Sequence, residues 1–151
     1  MTETQMPDLA SMSGMEQLQA MSDGLLPPAP IAETLGMVNF GGELGSISVE
    51  LVPERRHYNP LGTVHGGVLS TLLDTAAACS VHSTLAPGEG YTSLDLTVKF
   101  LRPATEASGR LRAVGRVVSR GRRTALAEAQ LVDEAGKLVA HATSSCMIFP
   151  A

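Results

Sequence analysis

Tryptophan is absent from this 151-residue chain and aromatic residues make up only 3% of it, so any core must be built from Leu, Val, Ile, Ala and Met. Cysteine occurs twice, as Cys79 and Cys146. That number excludes a disulfide framework, and the spacing excludes a C-x-x-C metal or redox site. No stretch approaches the ~20 uninterrupted apolar residues that a membrane span requires. Residues 1–54 hold no Lys or Arg. The start of the chain therefore lacks the positive region of a secretory signal, and a soluble, cytoplasmic protein is expected. A net charge of −4 argues against nucleic-acid binding. His57, His82 and His141 are scattered, which argues against a zinc site, and neither metal nor cofactor is expected. Ser70 and Ser80 lack the G-x-S-x-G setting of a nucleophile elbow.

What is present is unevenly placed. All eleven basic residues lie from Arg55 onward, and Arg110, Arg112, Arg116, Arg120, Arg122 and Arg123 are crowded together. Such a patch suits a small polyanion such as a nucleotide; from charge alone, a solvated strand face suits it better. Residues 1–10 read as disordered. Met12, Met15, Leu18 and Met21 recur at helical spacing between Ser11 and Gly24. The proline-rich Leu25–Pro30 stretch reads as an extended connector, Ile31–Leu35 as a short helix and Gly41-Gly42 as a turn. Residues 1–30 thus read as an arm with one helix, a lid or packing element without chemistry of its own. Residues 31–151 read as the main domain.

Within that domain, Leu44–Val52 alternates like a half-buried strand. Val68–Val81 is a Leu- and Ala-rich apolar run, long enough for a helix. Tyr91–Leu101, Gly109–Ser119, Thr124–Val132 and Lys137–Phe149 read as four more strands, joined mostly by short turns that imply antiparallel neighbours. One antiparallel sheet wrapped around one apolar helix is an α+β arrangement.

The most informative segment is Asn59-Pro60-Leu61-Gly62-Thr63-Val64-His65-Gly66-Gly67, with Asp74 nine residues after His65. It resembles the phenylacetyl-CoA-thioesterase type of hotdog protein, whose pattern is N-P-x-G-x-x-H-G-G, a central helix and an acid at this spacing. Ser93-Leu94-Asp95-Leu96 and Lys99-Phe100-Leu101-Arg102-Pro103-Ala104 resemble the same family, and the likeness runs from about Ile31 to Ile148. The resemblance implies a hotdog fold and hydrolysis of an acyl-CoA thioester. It implies that Asp74 is the catalytic carboxylate and that the Gly66 N–H polarises the carbonyl. By the same resemblance, Asn59 assists near the carbonyl or the water, and Ser93 orients water in some members. Arg102 and the Gly121-Arg122-Arg123-Thr124 turn match regions that touch CoA phosphates. One departure is Ala78, where some members carry Ser or Thr; water positioning would fall to Ser93, to Thr75 or to neither.

The chemistry fits these residue types. A helix N-terminus offers unpaired N–H groups to a developing oxyanion, and glycine at Gly66 and Gly67 lets a substrate approach the backbone. Asp74 could activate water as a base or attack as a nucleophile. It could also be one member of a polar stripe with Ser70, Thr71 and Thr75. His65 could act as a base, though fixing the loop before the helix or positioning substrate suits it better. Gly66 and Asp74 lie ~12 Å apart along one helix at about 1.5 Å per residue. A single helix therefore cannot bring both to one carbonyl, and a homodimer with shared sites is expected, assembling further into a homotetramer. Two other readings stay open: a hotdog enoyl-CoA hydratase or dehydratase, and a non-catalytic acyl-CoA-binding protein. The residues do not disclose the acyl group.

Overall fold

The computed structural model describes residues 6–151. Three α-helices, α1 (Gly14–Ser22), α2 (Pro30–Leu35) and α3 (Gly66–His82), accompany seven strands among the described residues. The strands are β1 (Met37–Glu43), β2 (Ser46–Leu51), β3 (Glu89–Ser93), β4 (Thr97–Phe100), β5 (Leu111–Arg120), β6 (Thr124–Val132) and β7 (Leu138–Pro150). They form one antiparallel sheet in the order β1-β2-β5-β6-β7-β3, and β4 also pairs with β7. The α+β arrangement expected from the sequence is the one observed.

The sheet can wrap α3 closely because its inner face is lined with small side chains. In β6 the inward positions are Ala125, Ala127, Ala129 and Leu131, and in β7 they include Ala140 and Ala142, all buried. Against them α3 presents Leu69, Leu72, Leu73, Ala76, Ala77 and Val81. The scarcity of aromatics thus matches a helix set close to its sheet, where dense packing needs interlocking shapes rather than bulk. Ser80, buried among these residues, accepts from the Ile47 N–H at 2.9 Å and donates to the Ala76 carbonyl at 2.7 Å. Helix and sheet are thereby joined by a satisfied polar contact.

The closest approach is at Gly115, where an added Cβ would overlap the Ala76 carbonyl oxygen and Ser80 Oγ. A backbone carbonyl inside a helix cannot step aside. Gly115→Val should therefore cost about 1–3 kcal/mol or more, a drop of roughly 2–12 °C in melting temperature for a domain of this size. A variant that melts with the wild type would contradict this packing.

Three readings of the sequence need correction. Gly41-Gly42 is not a turn but lies inside β1, with both residues at a positive φ (159° and 154°) that side-chain-bearing residues rarely adopt, and the turn falls at Leu44-Gly45. A side chain at Gly42 would strike the Ser46 carbonyl, so glycine there permits the tight hairpin. Tyr91–Leu101 is two strands rather than one. Asp95 bridges the gap: its carboxylate accepts from the Ser145 N–H at 2.8 Å and its carbonyl from Ser144 Oγ at 3.0 Å. Finally, a 3-10 turn, Leu9–Ser11, begins inside the stretch read as disordered; residues 1–5 of that stretch lie outside the described residues.

The arm continues through α2 to Leu35 and is fastened at both ends. Ser13 and Glu16 close a capping box at the start of α1. The Gly14 N–H donates to the Leu85 carbonyl at 2.9 Å, and Gln17 Oε1 lies 2.8 Å from His82 Nε2. At the far end, Arg56 donates to the Thr34 and Leu35 carbonyls at 2.9 and 3.2 Å. His57 Nδ1 accepts from the Glu54 N–H, which leaves its Nε2–H to donate to Leu35 at 2.7 Å. Leu18, Ala20 and Leu26 are buried.

Candidate active site

The chain approaches α3 through a closed loop. Asn59 Oδ1 accepts from the N–H groups of Leu61 and Thr63 at 2.9 and 3.2 Å, and Asn59 Nδ2 donates to Thr63 Oγ1 at 2.9 Å. Both Oδ1 lone pairs and one amide hydrogen are occupied, so one Nδ2 hydrogen is left for a ligand. Gly62, with φ 85°, takes the left-handed conformation this turn requires. The Val64 N–H donates to Ala104 and the His65 N–H to His57, each at 2.8 Å.

His65 is the N-cap of α3: its Nδ1 accepts from the Gly67 N–H at 2.8 Å. The histidine is exposed, and the bond places its proton on Nε2. The Gly67 donor is therefore occupied, whereas the Gly66 N–H has no acceptor among the described residues. The first helical N–H is one of the groups that intrahelical bonding leaves free. Phe100 packs against Gly66, its ring 3.0 Å from where a Cβ would stand.

Asp74 lies two turns further along α3, half-buried. Its Oδ1 is buried with no hydrogen-bond partner among the described residues. Burial raises its carboxyl above the ordinary carboxylate range. Such groups are uncommon, since buried polar atoms are normally paired. Asp74 lines a cavity of about 670 Å³ together with Thr75, Ala78 and Cys79 of α3 and Tyr91 of β3. Burial and the neighbouring Asp74 charge push the Cys79 thiol up to about 12, so it is protonated at neutral pH. Burial likewise raises the Tyr91 hydroxyl. Asp74 is the one carboxyl group in this wall.

The rest of the enclosure comes from β1 and β2, through Met37, Val38, Asn39, Phe40 and Val49, and from the arm and α2, through Met21, Ser22, Pro28, Ala29, Ile31 and Ala32. Nothing in the sequence marked these residues, since they carry no reactive group and meet Asp74 only through the tertiary fold.

Within one chain the remaining candidates stand apart from this cavity. Asn59, His65, Gly66 and Gly67 cluster at the start of α3. Ser93 is exposed on β3, with its Oγ 4.0 Å from Cys146 Sγ. Arg102 donates its backbone N–H to Val139 at one end of β7, whereas Thr124 pairs with Met147 at the other. At about 3.3 Å per residue the two basic candidates are ~26 Å apart along the strand. Arg122, Arg123 and Thr124 line a separate hollow of about 730 Å³ with Met147 and Phe149. Among the described residues there is no group of three or more His, Cys, Asp or Glu side chains arranged to hold a metal, and no helix is long and apolar enough to cross a membrane.

Comparison with known proteins gives a consistent picture. The family model described as "Thioesterase superfamily" matches residues 61–140. A 1,4-dihydroxy-2-naphthoyl-CoA hydrolase of Listeria monocytogenes is 28% identical over 72% of this chain and 87% of its own length. Among solved structures, a phenylacetic acid degradation-related protein of Ralstonia eutropha is 37% identical, with a TM-score of 0.78 over 86% of this chain and 98% of its own. PaaI, from the phenylacetic acid degradation operon of Escherichia coli, has the same TM-score of 0.78 over 95% of this chain and 98% of its own. At 24% identity it shows likeness of fold alone, the hotdog arrangement of a sheet around one long helix.

Proposed function

Since this chain belongs to the thioesterase superfamily, we propose that it hydrolyses an acyl-CoA thioester to the free acid and CoA, with Asp74 as catalytic carboxylate and the Gly66 N–H as oxyanion donor. The observation that supports this most is Asp74 itself. It is the one Asp, Glu, Lys or Arg in α3 and has a buried, unpartnered oxygen beside a cavity of about 670 Å³, within the ~300–1,000 Å³ that suits a small-molecule site. A carboxylate kept only for structure would gain by being paired.

Thioester cleavage gathers negative charge on the carbonyl oxygen. The free Gly66 N–H, at the positive end of the α3 dipole, is placed to meet that charge. Ionised Asp74 either takes a proton from the attacking water or attacks the carbonyl carbon itself, forming a mixed anhydride that water then cleaves to the free acid and the regenerated carboxylate. In both routes the C–S bond breaks and the leaving thiolate takes up a proton. We assign the remaining Asn59 Nδ2 hydrogen and the exposed Ser93 hydroxyl to holding carbonyl or water, and His65 to fixing Gly67 and the start of the helix.

Gly66 and Asp74 both lie on α3, ~12 Å apart along its axis. One carbonyl therefore meets Gly66 of one chain and Asp74 of a second, in a homodimer. The sheet offers a place for that pairing. Strand β3 ends it, and Leu94, Phe100 and Leu101 along the β3–β4 border are 55–59% exposed. An uncovered edge of this kind favours pairing.

The direct test is release of free thiol from a panel of acyl-CoAs. Turnover of at least one member is expected, and a folded protein that releases thiol from none would overturn this reading. We assign the CoA phosphates to the Arg122-Arg123 hollow. Replacing both arginines with Ala should raise KM for acyl-CoA about tenfold or more, the worth of one charge-assisted hydrogen bond. A short acyl-thioester lacking the nucleotide should be far less affected. Equal effects on both substrates would show that the two arginines only face solvent.

A further inference from the structure

The cavity beside Asp74 is lined mainly by apolar side chains. Neither Lys, Arg nor His lines it. Most of its polar side chains are already engaged: Ser22 Oγ donates to the Phe40 carbonyl at 3.0 Å, Thr75 Oγ1 to Thr71 at 2.7 Å and Asn39 Nδ2 to Glu50 at 2.8 Å. A second negative charge brought in here would face Asp74 with no cation to balance it, a costly arrangement in a partly buried site.

The wall that the arm contributes is held in place. It is clamped to α3 through Gln17 and His82 and to the loop before α3 through Arg56 and His57. Between the clamps, Pro27, Pro28 and Pro30 restrict the backbone. Of the arm residues at the cavity, Met21 and Ala32 are half-buried and the others exposed. All six line the cavity, and Met21 and Ala32 are the two least open to solvent.

We propose that this cavity receives the acyl group, that it takes a neutral, apolar acyl chain, and that Met21 and Ala32 of the arm set the length it accepts. The proposal rests on the thioesterase reading and adds the substrate class and its determinants. The arm is then a specificity wall. Enlarging it at Met21 admits longer chains, and filling it at Ala32 excludes them.

The test is a length series of straight-chain acyl-CoAs, with succinyl-CoA beside butyryl-CoA, assayed on the wild type, Met21→Ala and Ala32→Phe. Kcat/KM for succinyl-CoA should fall below that for butyryl-CoA by roughly 100-fold. Met21→Ala should move the preferred length upward. Ala32→Phe should lower the ratio of long-chain to short-chain kcat/KM by roughly tenfold or more, as expected when methylenes are excluded from an apolar pocket. Ala32→Leu takes its place if the Phe variant does not fold. Folded variants that keep the wild-type length profile, or that lose activity equally at every length, would overturn the proposal, as would succinyl-CoA turned over like butyryl-CoA. A wild type that cleaves no acyl-CoA in the series would instead remove the thioesterase reading on which the proposal stands.

Discussion

Asp74→Asn will keep its fold and lose hydrolysis by ~10²–10⁴-fold, the usual contribution of a general acid or base. The amide nearly matches the carboxylate in shape but can neither take a proton from water nor attack as an anion. Stability supplies the control. Burial raises Asp74 above its ordinary 3.8, so the folded state holds the proton more tightly than the unfolded chain does. Its contribution to stability is fully present below pH 3.8 and is lost as the pH rises through the raised folded value. Once ionised, Asp74 is thus a cost to the fold, and the Asn variant should melt at or above the wild-type temperature. Activity at the expense of stability is a familiar pattern at functional positions. In the wild type, the acidic limb of kcat/KM should lie above the ordinary carboxylate range. A folded Asp74→Asn protein with wild-type turnover would remove Asp74 from the reaction.

At the other end of the site, Gly66→Pro should lower kcat by ~10²–10³-fold, the loss seen when one oxyanion donor is deleted. Proline is well suited to this position. It is accepted at the first residue of a helix, where the missing N–H had no intrahelical partner. His65 already has ψ 135°, the extended conformation that a residue before proline adopts. The added carbon atoms would press on the exposed Phe100 ring. Gly66→Ala introduces the same Cβ while keeping the N–H, and so isolates the donor. The alanine variant should retain far more activity than the proline variant. Equal losses in the two would trace the defect to Phe100 and not to the N–H.

Where local pattern carries the structure, the sequence was sufficient. The Leu- and Ala-rich run after Gly66-Gly67 forms α3, and the alternation over Thr124–Val132 matches β6. The misread segments depend on partners far along the chain. Gly41-Gly42 has the composition of a turn yet lies in a strand, because it pairs with β2 across a hairpin with a bulge; Asn39, with φ 52°, lies in the irregular stretch between Val38 and Gly41. Tyr91–Leu101 reads as continuous, and only the bonds from Ser144 and Ser145 to Asp95 divide it. The candidate site was legible where it carries reactive groups, as at Asp74 and the Gly66 backbone. The cavity wall at Met21 and Ala32 was not, because its position depends on contacts with residues far along the chain, such as Gln17 with His82 and Arg56 with Thr34.

The assembly of one site from two chains is tested most directly by complementation. Asp74→Asn and Gly66→Pro subunits, each inactive alone and each shown to fold and dimerise, are mixed under conditions that allow exchange. Each heterodimer then holds one site with both defects and one with neither. With random pairing half the dimers are heterodimers, and about a quarter of wild-type activity should return, as two-fold symmetry requires. If verified heterodimers remain inactive, Gly66 and Asp74 do not meet across the interface, and the shared-site assignment is wrong.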